Sequence, residues 1–365
     1  MDDTKTQVWT PDDGFFDRQA KRQPAVPPPI VQADLSHFAE LPMDDLVSAA
    51  RKYEKKVNQM LELCDAQQML PPMAFCSNPP SRVPTISDRS ALPANLWYIG
   101  DLHGDLLSLV ASLDYIDHFP AEEPPTIVFL GDAFDRFGYG YEVLLVIFNL
   151  MLERPGKIMF LVGNHDVELY YKKRFNVFYP GVMPANFCEW LNVSLSEKPE
   201  LSIFGQRLIT LMRRMPHALF LPDGMVAAHG GVPHTDVQRT IHSPADLDTI
   251  NARQDFVWGR FDPRHPRVMP DRARKDVRLG YQDFNDFCDV ASEALDMPVM
   301  RMIHGHEHPL EQWMFYPRYL MNPILTINTH RIATASGSID KIAVARHRPD
   351  TLPEVHLLEL AAKAE

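Results

Sequence analysis

The spacing of apolar residues changes along this chain, and each change marks an element. From Met43 to about Leu70, Leu46, Ala50, Tyr53, Val57, Leu61 and Cys64 recur at steps of three and four, with Lys and Glu between them. That is the spacing of one face of an amphipathic helix. The stripe has to be covered, because each side chain left in water forgoes about 1.5–3 kcal/mol of burial. The simplest cover is the rest of the chain, with a second chain or another protein as the alternative. Ahead of this helix, residues 1 to about 40 are proline-rich and polar, with AVPPPIV at 25–31. They are expected to wrap the surface or stay mobile rather than form a core. Deleting residues 1–40 is therefore expected to be tolerated, and deleting 1–90 to destabilise the remainder. A second proline-rich stretch, PPMAFCSNPPSRVP, ends the helix and leads into the main domain at about residue 90.

Beyond that point short β-rich runs alternate with helical segments. LWYIG (96–100), TIVFL (126–130), KIMFLV (157–162), MVAA (225–228), VMRMI (299–303) and ILTIN (324–328) are the expected strands. Leu106, Leu107, Leu109 and Val110 predict a helix between the first two, and YEVLLVIFNLML predicts another before the third. Strand–helix alternation of this kind points to an α/β layered domain, placed at 91–350 between the 1–90 extension and a 351–365 tail. No internal repeat is evident.

The residues that follow the strands carry the chemistry. Asp101-Leu102-His103-Gly104-Asp105 follows the first, Gly131-Asp132-Ala133-Phe134-Asp135-Arg136 the second, and Gly163-Asn164-His165-Asp166 the third. His229-Gly230-Gly231 follows MVAA, and His304-Gly305-His306-Glu307-His308 follows VMRMI. Ligands bind at the carboxyl edge of open α/β sheets. An extended Asp-x-His lets both side chains reach one cation, and a carboxylate such as Asp132 can bridge two. Mixed carboxylate, amide and imidazole ligation suits Mn, Fe or Zn better than Ca. Any one of these segments alone reads as a turn or a helix cap. Five in succession, each after an apolar strand, do not.

The 365 residues carry a formal net charge of -12 with no offsetting Lys/Arg cluster, which argues against a nucleic-acid partner. A small phosphorylated substrate remains open, since cations can supply the positive charge locally. Cys64, Cys76, Cys188 and Cys288 form no CxxC pair and read as buried thiols of a reducing compartment. The N-terminus shows no signal peptide. The longest apolar stretch, Val143 to Leu152, falls short of the roughly 20 residues of a membrane helix. A cytoplasmic protein without a membrane partner is expected; oligomeric state is not readable.

GDLHGD, GDAFDR, GNHD, AHGG and IHGHEH together resemble the motif series of the metallophosphoesterase (calcineurin-like) superfamily, and most closely its phosphoprotein-phosphatase (serine/threonine) branch. MPHALFLPDGMVAAHGGV, FVWGRFDP, and MIHGHEHP followed by ILTIN extend the resemblance over roughly residues 94 to 345. It implies a four-layer αββα sandwich with a dinuclear centre. Asp101 and His103 would bind the first metal, Asp132 would bridge, and Asn164, His229 and His306 would bind the second. His165 matches the family's general acid, Asp135 its orienting partner, and Arg136 an arginine that grips phosphate. The implied reaction is hydrolysis of a phosphate monoester by metal-bound hydroxide, with two divalent ions (Mn, Fe or Zn) as cofactors and a phosphoprotein as favoured substrate. A small-molecule or dinucleoside polyphosphate hydrolase is the alternative. A non-enzymatic binding module is disfavoured because no core ligand is replaced.

The sequence also departs from the family. Asp166 stands where eukaryotic members carry Glu, which suggests a bacterial-type branch, and Phe137 stands where Gly is usual. The late Ser-Ala-Pro-Asn-Tyr stretch appears as Thr-Ile-Asn-Thr-His, without the tyrosine near substrate. A second phosphate-binding arginine belongs near PDRARKDVRLG, where spacing does not decide between Arg272 and Arg274. His308 makes a Gly-His-x-His of the wider superfamily, whose last histidine binds the first metal; it reads either as that ligand or as a supporting or surface residue. His304 reads as structural.

Overall fold

Alternation along the strands decides the layering. The computed structural model describes residues 26–76, 81–195, 197–316, 319, 322–334 and 337–360. In strand Leu96–Ile99 every side chain is buried, but Trp97 and Ile99 join one hydrophobic cluster while Leu96 and Tyr98 join another. A strand with two apolar faces must be covered on both.

We number the sheet strands β1 (Ile30–Asp34), β2 (Leu96–Ile99), β3 (Thr126–Phe129), β4 (Ile158–Phe160), β5 (Ala218–Phe220), β6 (Met225–Ala228), β7 (Arg301–His304), β8 (Trp313–Phe315), β9 (Ile324–Ile327), β10 (Lys341–Arg346) and β11 (Glu354–Glu359). One sheet runs β1-β11-β10-β2-β3-β4 and the other β8-β9-β7-β6-β5. β2, β3 and β4 are mutually parallel, as are β6, β7 and β9. The inner faces meet through Tyr98, Val128, Met159, Leu219, Ala227 and Ile303. Outside the first sheet lie α1 (Met43–Arg51), α2 (Glu54–Gln67), α3 (Leu106–His118), α4 (Gly140–Glu153), α5 (Asn186–Ser194) and α6 (Pro199–Met212). Outside the second lie α7 (Ile250–Trp258) and α8 (Tyr281–Leu295). The result is the expected αββα sandwich. No helix among the described residues is long and apolar enough to cross a membrane.

Three features differ from the sequence reading. The helix expected over 43–70 is two helices, broken at Lys52 and Tyr53. The break lets α1 pack on α3 and α4 while α2 packs on α4 and α6, so one stripe serves different partners. Arg51 Nε donates to buried Glu142 at 2.9 Å and Lys56 to Asn149 at 3.2 Å, which fixes the pair on α4. The helices outside the first sheet are thus what covers the stripe.

The second difference lies in the 1–40 segment. Residues 1–25 are outside the described residues, but Ile30–Asp34 forms edge strand β1, and Leu35 and Phe38 behind it are buried in the main core. The third is the 351–365 tail. Its residues 361–365 are outside the described residues, whereas Glu354–Glu359 is β11, an interior strand of the larger sheet. β1 pairs with β11 in parallel, from Ile30 opposite Val355 to Asp34 opposite Glu359. The 91–350 boundaries therefore cut through one sheet. Parallel pairing between distant segments needs no local signature, and a half-buried edge strand flanked by prolines shows little alternation.

Candidate metal centre

The carboxyl ends of β2, β3, β4, β6 and β7 converge where the two sheets meet, and a parallel bridge between Asp101 and Asn328 joins the sheets there. Asp101, His103, Asp132, Asn164, His229 and His306, the six expected ligands, are all buried. Asp101 lies 3.9 Å from His103 Nε2 and 3.6 Å from His229 Nδ1. Asp132 Oδ2 sits between His103 Nε2 at 3.6 Å and His229 Nε2 at 3.4 Å. His229 Nε2 is 3.0 Å from Asn164 Oδ1 and 3.1 Å from His306 Nδ1. Asp132 belongs to two donor groups able to hold an ion, one with His103 and His165 and one with His229 and His306.

The backbone is bent to achieve this. His103, Asp132, Asp135, Arg136 and His306 all have positive φ, between 46° and 73°. Such conformations cost free energy in non-glycine residues and cluster at functional sites. Two glycines are dictated by the carboxylates themselves. A Cβ on Gly163 would lie 2.1 Å from Asp132 Oδ1, and one on Gly305 would lie 2.0 Å from Asp101 Oδ1. Asp166 explains the last letter of GNHD. Its carboxylate accepts the N–H groups of Gly163, Asp132 and Ala133 at 2.7–3.1 Å, tying the loop after β4 to the loop after β3.

The electrostatics favour bound cations. Burial pushes the Asp101 carboxyl up to about 8, although the His306 N–H and the Arg136 charge favour its ionised form. Burial drives Asp132 well above the carboxylate range and His103, His229 and His306 well below the usual imidazole range. Two carboxylates that resist ionisation beside neutral imidazoles are a poor interior and a good ligand set. His103 and His229 each place Nδ1 on a main-chain carbonyl, of Phe134 at 3.1 Å and Leu130 at 3.0 Å, which leaves Nε2 as the lone-pair nitrogen. Among the described residues, buried His103 Nε2 and His306 Nε2 have no hydrogen-bond partner. These orphaned nitrogens fit the divalent ions that the motifs imply.

Around this set lie the other expected residues. His165 Nδ1 and Asp135 Oδ2 are 2.6 Å apart, and Asp135 Oδ1 accepts the Phe187 N–H at 2.9 Å. Burial opposes charge on His165, but Asp132 and Asp135 outweigh it and hold its pKa above the usual value. Arg136 donates Nη2 to His308 Nε2 at 3.0 Å, and His308 Nδ1 is 3.8 Å from Asp101 Oδ2. His304 is buried beside Phe261 and bonds Thr326 Oγ1, in keeping with a structural role.

Neither arginine considered for the second phosphate contact is brought to the centre. Arg272 is held by Asp236 and Asp255, and the Arg274 side chain is 84% exposed beside Asp271. Lys275, the next residue, reaches groups that border the centre instead. It pairs with Glu168, three residues after His165, and lies over the Trp258 ring, whose centroid is 6.2 Å from that of His306. Arg260, paired with Glu307 at 3.0 Å, adds a further charge that favours ionised Asp101. The sequence reading missed both, and it treated His330 only as a missing tyrosine. His330 is buried in van der Waals range of His103 and His308. The rule that found the other histidines would have found this one, since His330 follows the carboxyl end of the ILTIN strand.

The family described as calcineurin-like phosphoesterase matches residues 94–310 of the chain. The serine/threonine-protein phosphatase 6 catalytic subunit of Caenorhabditis elegans is 27% identical over 177 residues, covering 45% of this chain and 46% of that protein. Serine/threonine-protein phosphatase C23G10.1 of the same organism is 24% identical over 229 residues, covering 60% and 44%. The matches thus span under half the length of these relatives. A protein serine/threonine phosphatase of Saccharomyces cerevisiae, described as similar to human phosphatase PP5, shares the fold at 14% identity. The TM-score is 0.53, with 89% of this chain and 92% of that one covered.

Proposed function

The chain belongs to the calcineurin-like phosphoesterase family, and we propose that it hydrolyses phosphate monoesters on protein side chains with two divalent cations held at the strand ends. The observation that carries this reading is the buried cluster of six ligand-type residues with orphaned imidazole nitrogens. Asp101 and His103 would hold the first cation, with His308 beside them; Asn164, His229 and His306 would hold the second, and Asp132 belongs to donor groups on both sides. Bound there, divalent ions supply Lewis-acid charge to the phosphoryl oxygens and make water acidic enough to deliver hydroxide near neutral pH.

The chain's own groups do the rest. With Nδ1 on Asp135, His165 presents Nε2 and gives its proton to the leaving oxygen. The net raised pKa of His165 keeps that proton available. Arg136 binds phosphoryl oxygens through its guanidinium, and Lys275 and Arg260 flank the mouth with further positive charge. The protein substrate is supported by the serine/threonine phosphatase names of the sequence relatives.

The test is a chelated preparation, reconstituted with Mn, Fe or Zn and assayed on p-nitrophenyl phosphate, phosphopeptides, sugar phosphates and dinucleoside polyphosphates. Activity is expected to vanish with chelation and return with Mn. Full activity without metal overturns the cation reading. Higher kcat/KM on a small phosphate than on every phosphopeptide overturns the protein substrate.

A further inference from the structure

We infer that His330 is an additional ligand of the first cation, so that this site carries three imidazoles. The inference rests on the two-cation reading above and extends it to a residue that the expected ligand set lacks.

Three observations converge. One ring nitrogen each of His103, His308 and His330 lies within 4.8 Å of the others, a group able to hold an ion and sharing His103 with the centre. His330 also makes the main-chain contact of the expected ligand histidines. Its Nδ1 lies 3.3 Å from the main-chain carbonyl of Asp101, as His103 and His229 place theirs on Phe134 and Leu130. Donating Nδ1–H in this way leaves Nε2 with the lone pair, the usual means by which a fold presents an imidazole to a metal.

The loop that carries His330 is held unusually firmly. Thr329 Oγ1 accepts the Gly100 N–H at 2.7 Å and donates to the Ala343 carbonyl at 2.6 Å. Asn328 Nδ2 donates to the His330 carbonyl at 2.9 Å. On the other side Arg331 forms a bidentate pair with buried Asp105, both bonds 2.9 Å, and its N–H reaches the same carboxylate at 3.1 Å. The second aspartate of GDLHGD therefore anchors the residue after His330, while the first stands among the ligands. Asn328, Thr329 and Arg331 are thus each bonded in place, and the imidazole among them faces His103 and His308. Three imidazoles with carboxylates favour Zn, Fe or Co over Mg.

The deciding experiment loads the full chain, labelled with 15N-histidine, with cadmium-113. The His330 imidazole is assigned by contacts to Thr329 and Arg331 protons, or by its loss in His330→Gln where that variant folds by circular dichroism. The expected result is a cadmium–nitrogen coupling on His330. Coupling on His103 and His229 but not on His330 overturns the inference and leaves the two-cation reading standing. Absence of cadmium binding overturns both. In the folded variant, chelator competition with Zn is expected to show one affinity falling by more than about tenfold, a loss that even supporting groups around a metal can produce. A smaller fall at both sites overturns the inference.

Discussion

Removing residues 1–40 tests whether the N-terminal strand belongs to the catalytic fold. A chain beginning at residue 26 keeps β1 and its contacts among the described residues; one beginning at 41 loses them. Leu35 and Phe38 are 8% and 5% exposed, so losing both forgoes about 3–6 kcal/mol of burial at ~1.5–3 kcal/mol each. β11 also loses its parallel neighbour, including the Leu35 N–H to Glu359 bond at 2.8 Å and the Val355 N–H to Pro29 bond at 2.9 Å. Each contributes about 0.5–1.5 kcal/mol net. The total, on the order of 5 kcal/mol, is a large share of the roughly 5–15 kcal/mol that holds a domain folded. Urea denaturation followed by circular dichroism should give a much lower midpoint for 41–365 than for 26–365. Phe38→Ala, which keeps the strand, should cost about 3–5 kcal/mol. Equal midpoints for 26–365 and 41–365 would refute the reasoning, and the sequence expectation of a dispensable segment would stand.

Deleting residues 1–90 should be worse, because α1 and α2 leave Glu142 and the core against α4 and α6 uncovered; a 91–365 chain that melts like the full one would refute this. His165→Asn should lower kcat by about 10²–10⁴-fold, the range for a lost general acid, with metal content unchanged. Wild-type kcat should fall as pH rises through the His165 pKa, and an emptied metal site in the variant would make His165 a ligand instead. The metal-free protein should lose stability between pH 6.5 and about 8. Asp101 titrates near 3.8 unfolded and about 8 folded, so in this window the folded state keeps a proton that the unfolded state has lost, and stability falls as pH rises. His165, also raised, acts in the same direction. The buried imidazoles with lowered pKa act oppositely, an effect that fades by about pH 7.5 as the unfolded histidines lose their protons, while Asp132, raised like Asp101, adds to the loss. Added cation should therefore raise the melting temperature more at pH 8 than at 6.5; metal-free protein that gains stability over the window contradicts the assignment.

What the sequence revealed and what it hid follow from the range of the forces involved. Asp101, Asp132, Asn164, His229 and His306 were legible because each sits one to three residues past an apolar run, and the parallel order of β2, β3 and β4 turns that adjacency into convergence. The layered fold was legible for the same reason, since runs buried on both faces demand helices outside. Lys275 was hidden because its neighbours Arg272 and Arg274 carry the expected chemistry, and only tertiary ion pairs divert Arg272 to Asp236 and Asp255. The pairing of β1 with β11 was hidden because register between distant segments is set by what each finds on assembly. His330 is a different case. ILTIN reads as a strand, yet against the family pattern its carboxyl end reads only as lacking a tyrosine. Judged by chemistry alone, a histidine two residues past that strand belongs with the other strand-end ligands. Histidine in place of tyrosine at this strand end puts one polar ring where another is usual, and the Asp101 carbonyl and the Arg331–Asp105 pair hold it there.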